Sequence, residues 1–231
     1  MSASADSGYA ELHCISNFSF LRGASHPEEL VEQADALGYR ALALTDECSV
    51  AGVVRAHVSA RELDIRLIIG SEFRLVDGLR LVLLARNRDA YTQLCRLITR
   101  GRRAAPKGEY RLEPADLKGT VPDCLALWLP PARPTERDAR WLARHFAGRI
   151  WVAVELLAGG QDARRLAQLE ALSRDTGLPL VAAGDVHMHR RGRRALHDTL
   201  TAIRLGRPLE KALDHLFPNG ERHIRPLEHL S

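Results

Sequence analysis

Three residues set the problem: Asp185, His187 and His189, in the run Leu180–His189 (Leu-Val-Ala-Ala-Gly-Asp-Val-His-Met-His). In an extended chain, side chains two apart share a face. The three would then project together from the strand's carboxyl end, where α/β folds build their sites. A carboxylate and imidazoles at such a place are ligand types suited to a divalent metal. The competing reading is an aspartate and a histidine that cap the next helix and pair with each other. Both remain open at this point.

Other acids follow buried strands in the same way. Arg40–Thr45 closes on Asp46-Glu47, and Arg66–Leu75 carries Glu72 just past Gly70-Ser71. Glu155 sits near the end of Ile150–Leu156, without a motif around it. Asp46 and Asp185 have the alternative of capping the helices after their strands. His57, on the stripe of Val50, Val53, Val54 and Val58, reads as a partly buried core residue. His197 and Asp198 read as structural, and Cys14 and Cys48 as small buried fillers.

The elements that must position these groups follow from periodicity. Ala10–Ile15 reads as a first strand, leading into the loop Ser16–Ala24. Ser25 then caps a helix through Ser-His-Pro-Glu, whose stripe is Leu30, Val31, Ala34 and Leu37 and whose stop is Gly38. Asp77-Gly78 signals a hairpin returning through Leu79–Arg86, and Leu125–Leu129 is a further strand. Helices carry Tyr91, Leu94, Cys95 and Ile98; then Leu142 and Phe146; then Leu166, Leu169 and Leu172 up to Gly177; then Leu196, Leu200 and Ile203 up to Gly206. Gly101–Asp123, rich in Gly, Pro and Arg, reads as a surface excursion. Repeated strand–helix alternation predicts an α/β barrel of parallel strands joined by crossover helices, with the strand-end acids converging at one mouth. The barrel is expected over 1–206, with an extension over 207–231 where the pattern fades.

Bulk properties narrow the classes. The 231 residues suffice for one large domain, and 45% hydrophobic content is ordinary for a globular chain. Met1–Ala10 lacks an apolar stretch, and no run approaches spanning length, so neither a secretory signal nor a membrane is expected. The four cysteines lie far apart, which predicts reduced thiols and a cytoplasmic location. Residues 1–75 hold 6 arginines against 11 acids, whereas the remainder holds 27 basic and 18 acidic residues. The basic clusters make Arg100, Arg102, Arg103, Arg190 and Arg191 candidates for contact with DNA phosphates; a merely solvated face is the alternative.

Taken together, the runs Leu12–Leu30 (including Asn17-Phe18-Ser19-Phe20-Leu21-Arg22-Gly23-Ala24-Ser25), Leu44–Ser49, Gly70–Phe73, Gly184–His187 and Phe217–His223 resemble the PHP (polymerase and histidinol phosphatase) domain. The resemblance is to the PHP domain that opens bacterial polymerase alpha subunits, in their error-prone, damage-induced branch. It implies an irregular (β/α)7 barrel with a metal-binding mouth. The positions matching ligands are His13, Asp46, Glu72, Asp185 and His187. Metal-competent members carry His-x-His where this chain has His13-Cys14-Ile15, an aspartate at Arg22, Asp-His where it has Asp46-Glu47, and a histidine at Arg80. Ile15 has no donor for a metal, and Arg22 brings a fixed positive charge that cannot be deprotonated. Near the carboxylates, Arg22 can replace the metal's charge through bidentate pairs. A degenerate site, with no cofactor and no catalysis of its own, is therefore expected. The alternative is one residual zinc or manganese ion on His13, Glu47, Asp185 and His187.

The resemblance further implies a parent chain whose polymerase core, absent from these residues, uses magnesium on palm aspartates. Its implied partners are that core, DNA, a sliding clamp and mutagenesis accessory proteins. Two other classes compete: a free-standing metal-dependent phosphoesterase like histidinol phosphatase, and a 3′–5′ exonuclease. Both need the His-x-His and Asp-His pairs that are broken here.

Overall fold

The structure, a computed structural model, describes residues 8–230. Seven strands run in chain order around the sheet: β1 (Ala10–Cys14), β2 (Ala41–Leu44), β3 (Arg66–Arg74), β4 (Arg80–Ala85), β5 (Cys124–Trp128), β6 (Ile150–Val154) and β7 (Leu180–Ala182). The sheet nearly closes into a barrel: the Ile15 N–H donates to the Val186 carbonyl and the Val186 N–H to the His13 carbonyl, each at 2.9 Å. β4 is the return strand of the hairpin expected at Asp77-Gly78, and it pairs antiparallel with β3 and, beyond that expectation, with β5. The Asp77-Gly78 turn that returns it is too short for a crossover, and Gly78 takes φ +90°.

Helices α1 (Pro27–Ala36), α2 (Val53–Ala60), α3 (Arg88–Arg103), α4 (Pro114–Leu117), α5 (Glu136–His145), α6 (Asp162–Thr176) and α7 (Arg194–Leu205) surround it. Period-2 alternation sorts the strand residues between two layers. Leu81 and Leu83 of β4, Ala126 and Trp128 of β5 and Val152 of β6 face the helices, packed with Leu94, Leu97, Leu142 and Phe146. Ala43, Val82, Leu84, Leu127 and Ala153 fill the lumen. A register shift in β1 between Glu11 and Cys14 breaks this parity. Leu12 packs with the lumen set and Cys14 with the outer set, so the shift leaves His13 free to turn into the mouth, as bulges re-aim side chains.

Several expectations change. The run from Leu180 to His189 is not one strand: β7 ends at Ala182, and Asp185 adopts φ +46°, a left-handed turn that bends the chain across the barrel mouth. The first helix is capped at His26, whose N–H donates to Glu29 at 2.9 Å, while the Ser25 hydroxyl bonds His189 at 2.7 Å. His57 is exposed, with Val54 and Val58 beside it, because α2 presents Val53 and Ala56 to the core instead. Residues 101–123 run mostly over the surface, as expected, but are pinned to α3 and the outer core by the buried Leu112, Leu117 and Val121. Residues 207–230 hold short 3-10 turns and pack back on the barrel through Ala212, Ile224 and the Tyr39 hydroxyl, which donates to the Arg225 carbonyl at 2.7 Å.

Candidate functional site

At the carboxyl ends of the parallel strands the chain gathers charge. Glu72 shares the lumen face with its partner Val82 and is 1% exposed. Three side chains bind it. Arg22 Nη2 donates to Glu72 Oε2 at 3.0 Å while its Nη1 bonds Glu47. Arg80 reaches Glu72 Oε1 from Nη2 at 2.7 Å and Nε at 3.2 Å. His13 Nε2 lies 3.4 Å from Glu72 Oε2. Its Nδ1 lies 2.7 Å from Glu155 and 3.6 Å from Asp185. Asp185 also pairs with Arg222 and, at 3.1 Å, with His187 Nε2, whose Nδ1 meets His197 Nε2 at 3.2 Å.

The electrostatics follow from these partners. Burial disfavours a charged His13, but hydrogen bonds and charges from Glu155 and Glu72 outweigh it and push its pKa up to about 9. Burial likewise opposes charge on Glu72, yet His13, Arg22 and Arg80 hold its carboxyl well below the usual range. Burial, with the nearby Arg22 and His13 charges, keeps His187 neutral and depresses it well below the ordinary value. Burial and His187 bring His197 down to about 4. The Arg222 guanidinium is pushed down to about 10 by burial.

The structure thus brings His13, Arg22, Glu47, Glu72, Asp185 and His187 to one mouth. Asp46 is elsewhere. Its carboxylate, 1% exposed, accepts from the Ser16 N–H at 2.8 Å and hydroxyl at 2.8 Å and from the Ser19 hydroxyl at 2.7 Å. It closes the Ser16–Ala24 loop that delivers Arg22, so its part is positional. His189 leaves the mouth for Ser25. Backbone strain marks the same place: Leu21, Cys48 and Asp185, at the ends of these loops, are three of the four non-glycine residues with positive φ among those described.

Arg222, Phe217, Tyr110 and His197 belong to the site although the sequence reading gave them no role in it. Arg222 stacks 3.8 Å over the Phe217 ring, and the Tyr110 hydroxyl donates to Glu47 at 2.8 Å. Arg80 and Glu155 were visible in the sequence only as a departure and as an unsupported strand-end acid. The basic candidates divide. Arg102 is spent on the backbone, donating to the Cys48 and Glu47 carbonyls at 3.1 Å. Arg100 pairs with Asp116 and Arg191 with Glu221, each at 3.3 Å. Arg103 and Arg190 are exposed.

The donor set can be tested against a metal centre. Among the described residues, His13, Glu155 and Asp185 offer ligand atoms within 4.8 Å of one another, a group able to hold one ion. Glu47 and His187 are not in it. A second cation does not fit, because the carboxylates it needs, Glu47 and Glu72, are bound by Arg22 and Arg80. No two-metal hydrolytic step follows from this arrangement.

Comparison with known proteins agrees with the geometry. Residues 11–172 match the model of the PHP domain. Proteins named error-prone DNA polymerase are similar over the whole chain: that of Methylococcus capsulatus is 60% identical over 232 residues, covering 100% of this chain and 22% of its own length. That of Pseudomonas aeruginosa is 57% identical, covering 97% of this chain and 22% of its own length. This chain therefore spans about a fifth of the curated relatives it matches. Among solved structures, a candidate metal-dependent phosphoesterase of Bifidobacterium adolescentis superposes with TM-score 0.60 at 15% identity, over 78% of this chain and 88% of its own. An amidohydrolase of Chromobacterium violaceum gives 0.57 at 15%, over 78% and 88%. At that identity the likeness is one of fold. Barrel, strand-end mouth and matched residues lead to one assignment: the chain belongs to the PHP domain family.

Proposed function

We propose that this chain is the N-terminal PHP domain of an error-prone, translesion DNA-directed DNA polymerase acting in DNA repair and damage-induced mutagenesis. Within that parent the domain serves as a scaffold, its mouth held by guanidinium–carboxylate pairs and without catalysis of its own. One observation carries the reading: Arg22 bridges Glu47 and Glu72, so a fixed cation of the chain neutralises the acids that would bind a metal. The similarity to error-prone polymerases over the whole chain supports the parent. A polymerase core in the same chain, beyond an extension that begins near 207, is the first partner. DNA, a sliding clamp and mutagenesis accessory proteins complete the proposed set. No helix among the described residues is long and apolar enough to cross a membrane, in keeping with work on DNA in the cytoplasm.

A second reading has its own support. His13, Glu155 and Asp185 suit one zinc or manganese ion, which would polarise a bound oxygen; the three residues would hold and orient it. The free-standing phosphoesterase and the 3′–5′ exonuclease both require turnover. Incubating the chain with p-nitrophenyl phosphate and with 3′-labelled single-stranded DNA, with added manganese or zinc, is expected to release no product above a blank. Release that disappears in Asp185→Asn would overturn the scaffold reading.

A further inference from the structure

The end of the barrel away from the charged mouth is not closed as a core. Val82, Leu84, Leu127 and Ala153 of the lumen are buried, but Leu12, Ile68, Leu125 and Val181, packed on them toward the amino ends of the parallel strands, are only half-buried. With the half-buried Trp151 they wall a cavity of about 680 Å³. Protein interiors hold few voids larger than a water molecule, and an aliphatic wall gives water no partners, so packing does not account for this space. Its size is that of a small-molecule site, about 300–1,000 Å³. The wall is polar on one side only. Arg86, Asn87 and Arg88, consecutive and exposed where β4 runs into α3, form its rim, and the buried Leu84 and Leu127 form its depth. Arg86 pairs with Asp123 at 3.2 Å, and Asp123 also accepts from Gln93 at 2.6 Å. The Arg88 guanidinium has no ion pair or side-chain hydrogen bond among the described residues. Asn87 Oδ1 caps α3 by accepting from the Ala90 N–H at 2.8 Å, so the positive end of a 16-residue helix opens at the same rim. No carboxylate lines the cavity among the described residues.

A ligand seated here presents carbon to every side of the wall but one, and on that side it meets a cation and free donors. We propose that the cavity binds a free medium-chain aliphatic monocarboxylate, its chain against Leu84, Leu127 and Trp151 and its carboxylate at Arg88 and the Asn87 amide nitrogen. The chain supplies the binding energy by leaving water, and one carboxylate matches one guanidinium fork. An aliphatic amine would bring a second cation to Arg88, and a sugar or a diacid would leave polar groups unpaired against the aliphatic wall. The cavity stands at the opposite end of the barrel from Arg22 and Glu72, so this inference and the scaffold reading of the mouth stand or fall separately.

The test is calorimetric titration of this chain with decanoate, with tryptophan emission as a second readout through Trp151. Affinity is expected to rise about fourfold for each methylene added between hexanoate and decanoate. Arg88→Gln, altered at an exposed position, is expected to weaken decanoate about tenfold and to leave decanol unchanged. Ile68→Phe, which puts a ring into the space, is expected to abolish binding of both, and its Tm beside that of the parent shows that it folds. Arg103→Gln, outside the cavity, binds as the parent does, and decylamine is expected not to bind. Absence of saturable decanoate binding, equal binding of decylamine, or unchanged affinity in Arg88→Gln overturns the proposal. So does binding to phosphatidylglycerol vesicles in place of free decanoate, which would make the opening a membrane contact. A dimer that Ile68→Phe prevents would make it a contact between copies and overturn the proposal as well.

Discussion

The two ends of the barrel are made from the same strands and have opposite chemistry. At the carboxyl ends of the parallel strands, His13, Glu72 and Asp185 meet guanidiniums from two loops and a strand. At the other end, Leu12, Ile68, Leu125, Leu127, Trp151 and Val181 line an apolar cavity of about 680 Å³. β3 alone carries Ile68 to one end and Glu72 to the other. The larger cavity is the apolar one, yet the charged mouth holds the groups able to do chemistry. Each apolar wall residue loses only some packing if it is cut back. Each mouth charge, in contrast, depends on a partner for its place out of water.

The comparison can be broken by removing one group at a time. The largest effect is expected from Arg22→Ala, which leaves Glu72 and Glu47 short of a cation. Urea unfolding should show a loss of about 3–5 kcal/mol, and a loss below about 1 kcal/mol would mean the pairs are ordinary surface bridges. Leu129→Ala, buried with the lumen set and outside that cavity, should cost about 3 kcal/mol. A similar cut at Ile68, which already faces the open cavity, should cost about 1 kcal/mol. Equal losses at the two positions would mean that the far end is as tightly packed as the centre.

A pH scan sharpens the contrast. His13 is raised from its ordinary value to about 9, so its pairs stabilise fully below about pH 6.5 and the contribution fades as pH rises through 9. Glu72 acts in the opposite sense, stabilising above its ordinary range and losing that contribution as pH falls toward its depressed value. Tm should therefore decline between pH 7 and 9 by the equivalent of at most about 3 kcal/mol, and His13→Gln should flatten that limb. A decline of equal slope in the variant would assign it to other groups. The smallest effect concerns DNA. Arg103→Gln and Arg190→Gln should each lower the salt dependence of single-strand binding by about one ion, whereas the backbone-bound Arg102 should act through stability instead.

What the sequence made legible was the pattern, and what it concealed was direction. Strand and helix positions followed from alternation and from stripes such as Leu30-Val31-Ala34, because burial writes itself into periodicity. Arg22, Glu47, Glu72, Asp185 and His187 are legible as strand-end or motif residues, and they stand at one mouth. Asp46 was misplaced because its partners, the Ser16 and Ser19 hydroxyls, come from a loop with no periodic signal. The bend at Asp185 was hidden since a left-handed aspartate is disfavoured and only the barrel's closure demands it. Arg222 and Phe217 lie in a turn-rich stretch where nothing local tells which side chain folds inward. The exposed His57 shows the converse error: an apolar stripe on α2 that the core does not use.

The central claim is that guanidiniums, not a cation pair, neutralise the strand-end acids. Elemental mass spectrometry of the chain, purified from medium supplemented with manganese and zinc, addresses it directly. The account predicts no more than one ion per chain, lost in Glu155→Gln and unaffected in Glu47→Gln. Two ions per chain, with the second lost in Glu47→Gln, would contradict it.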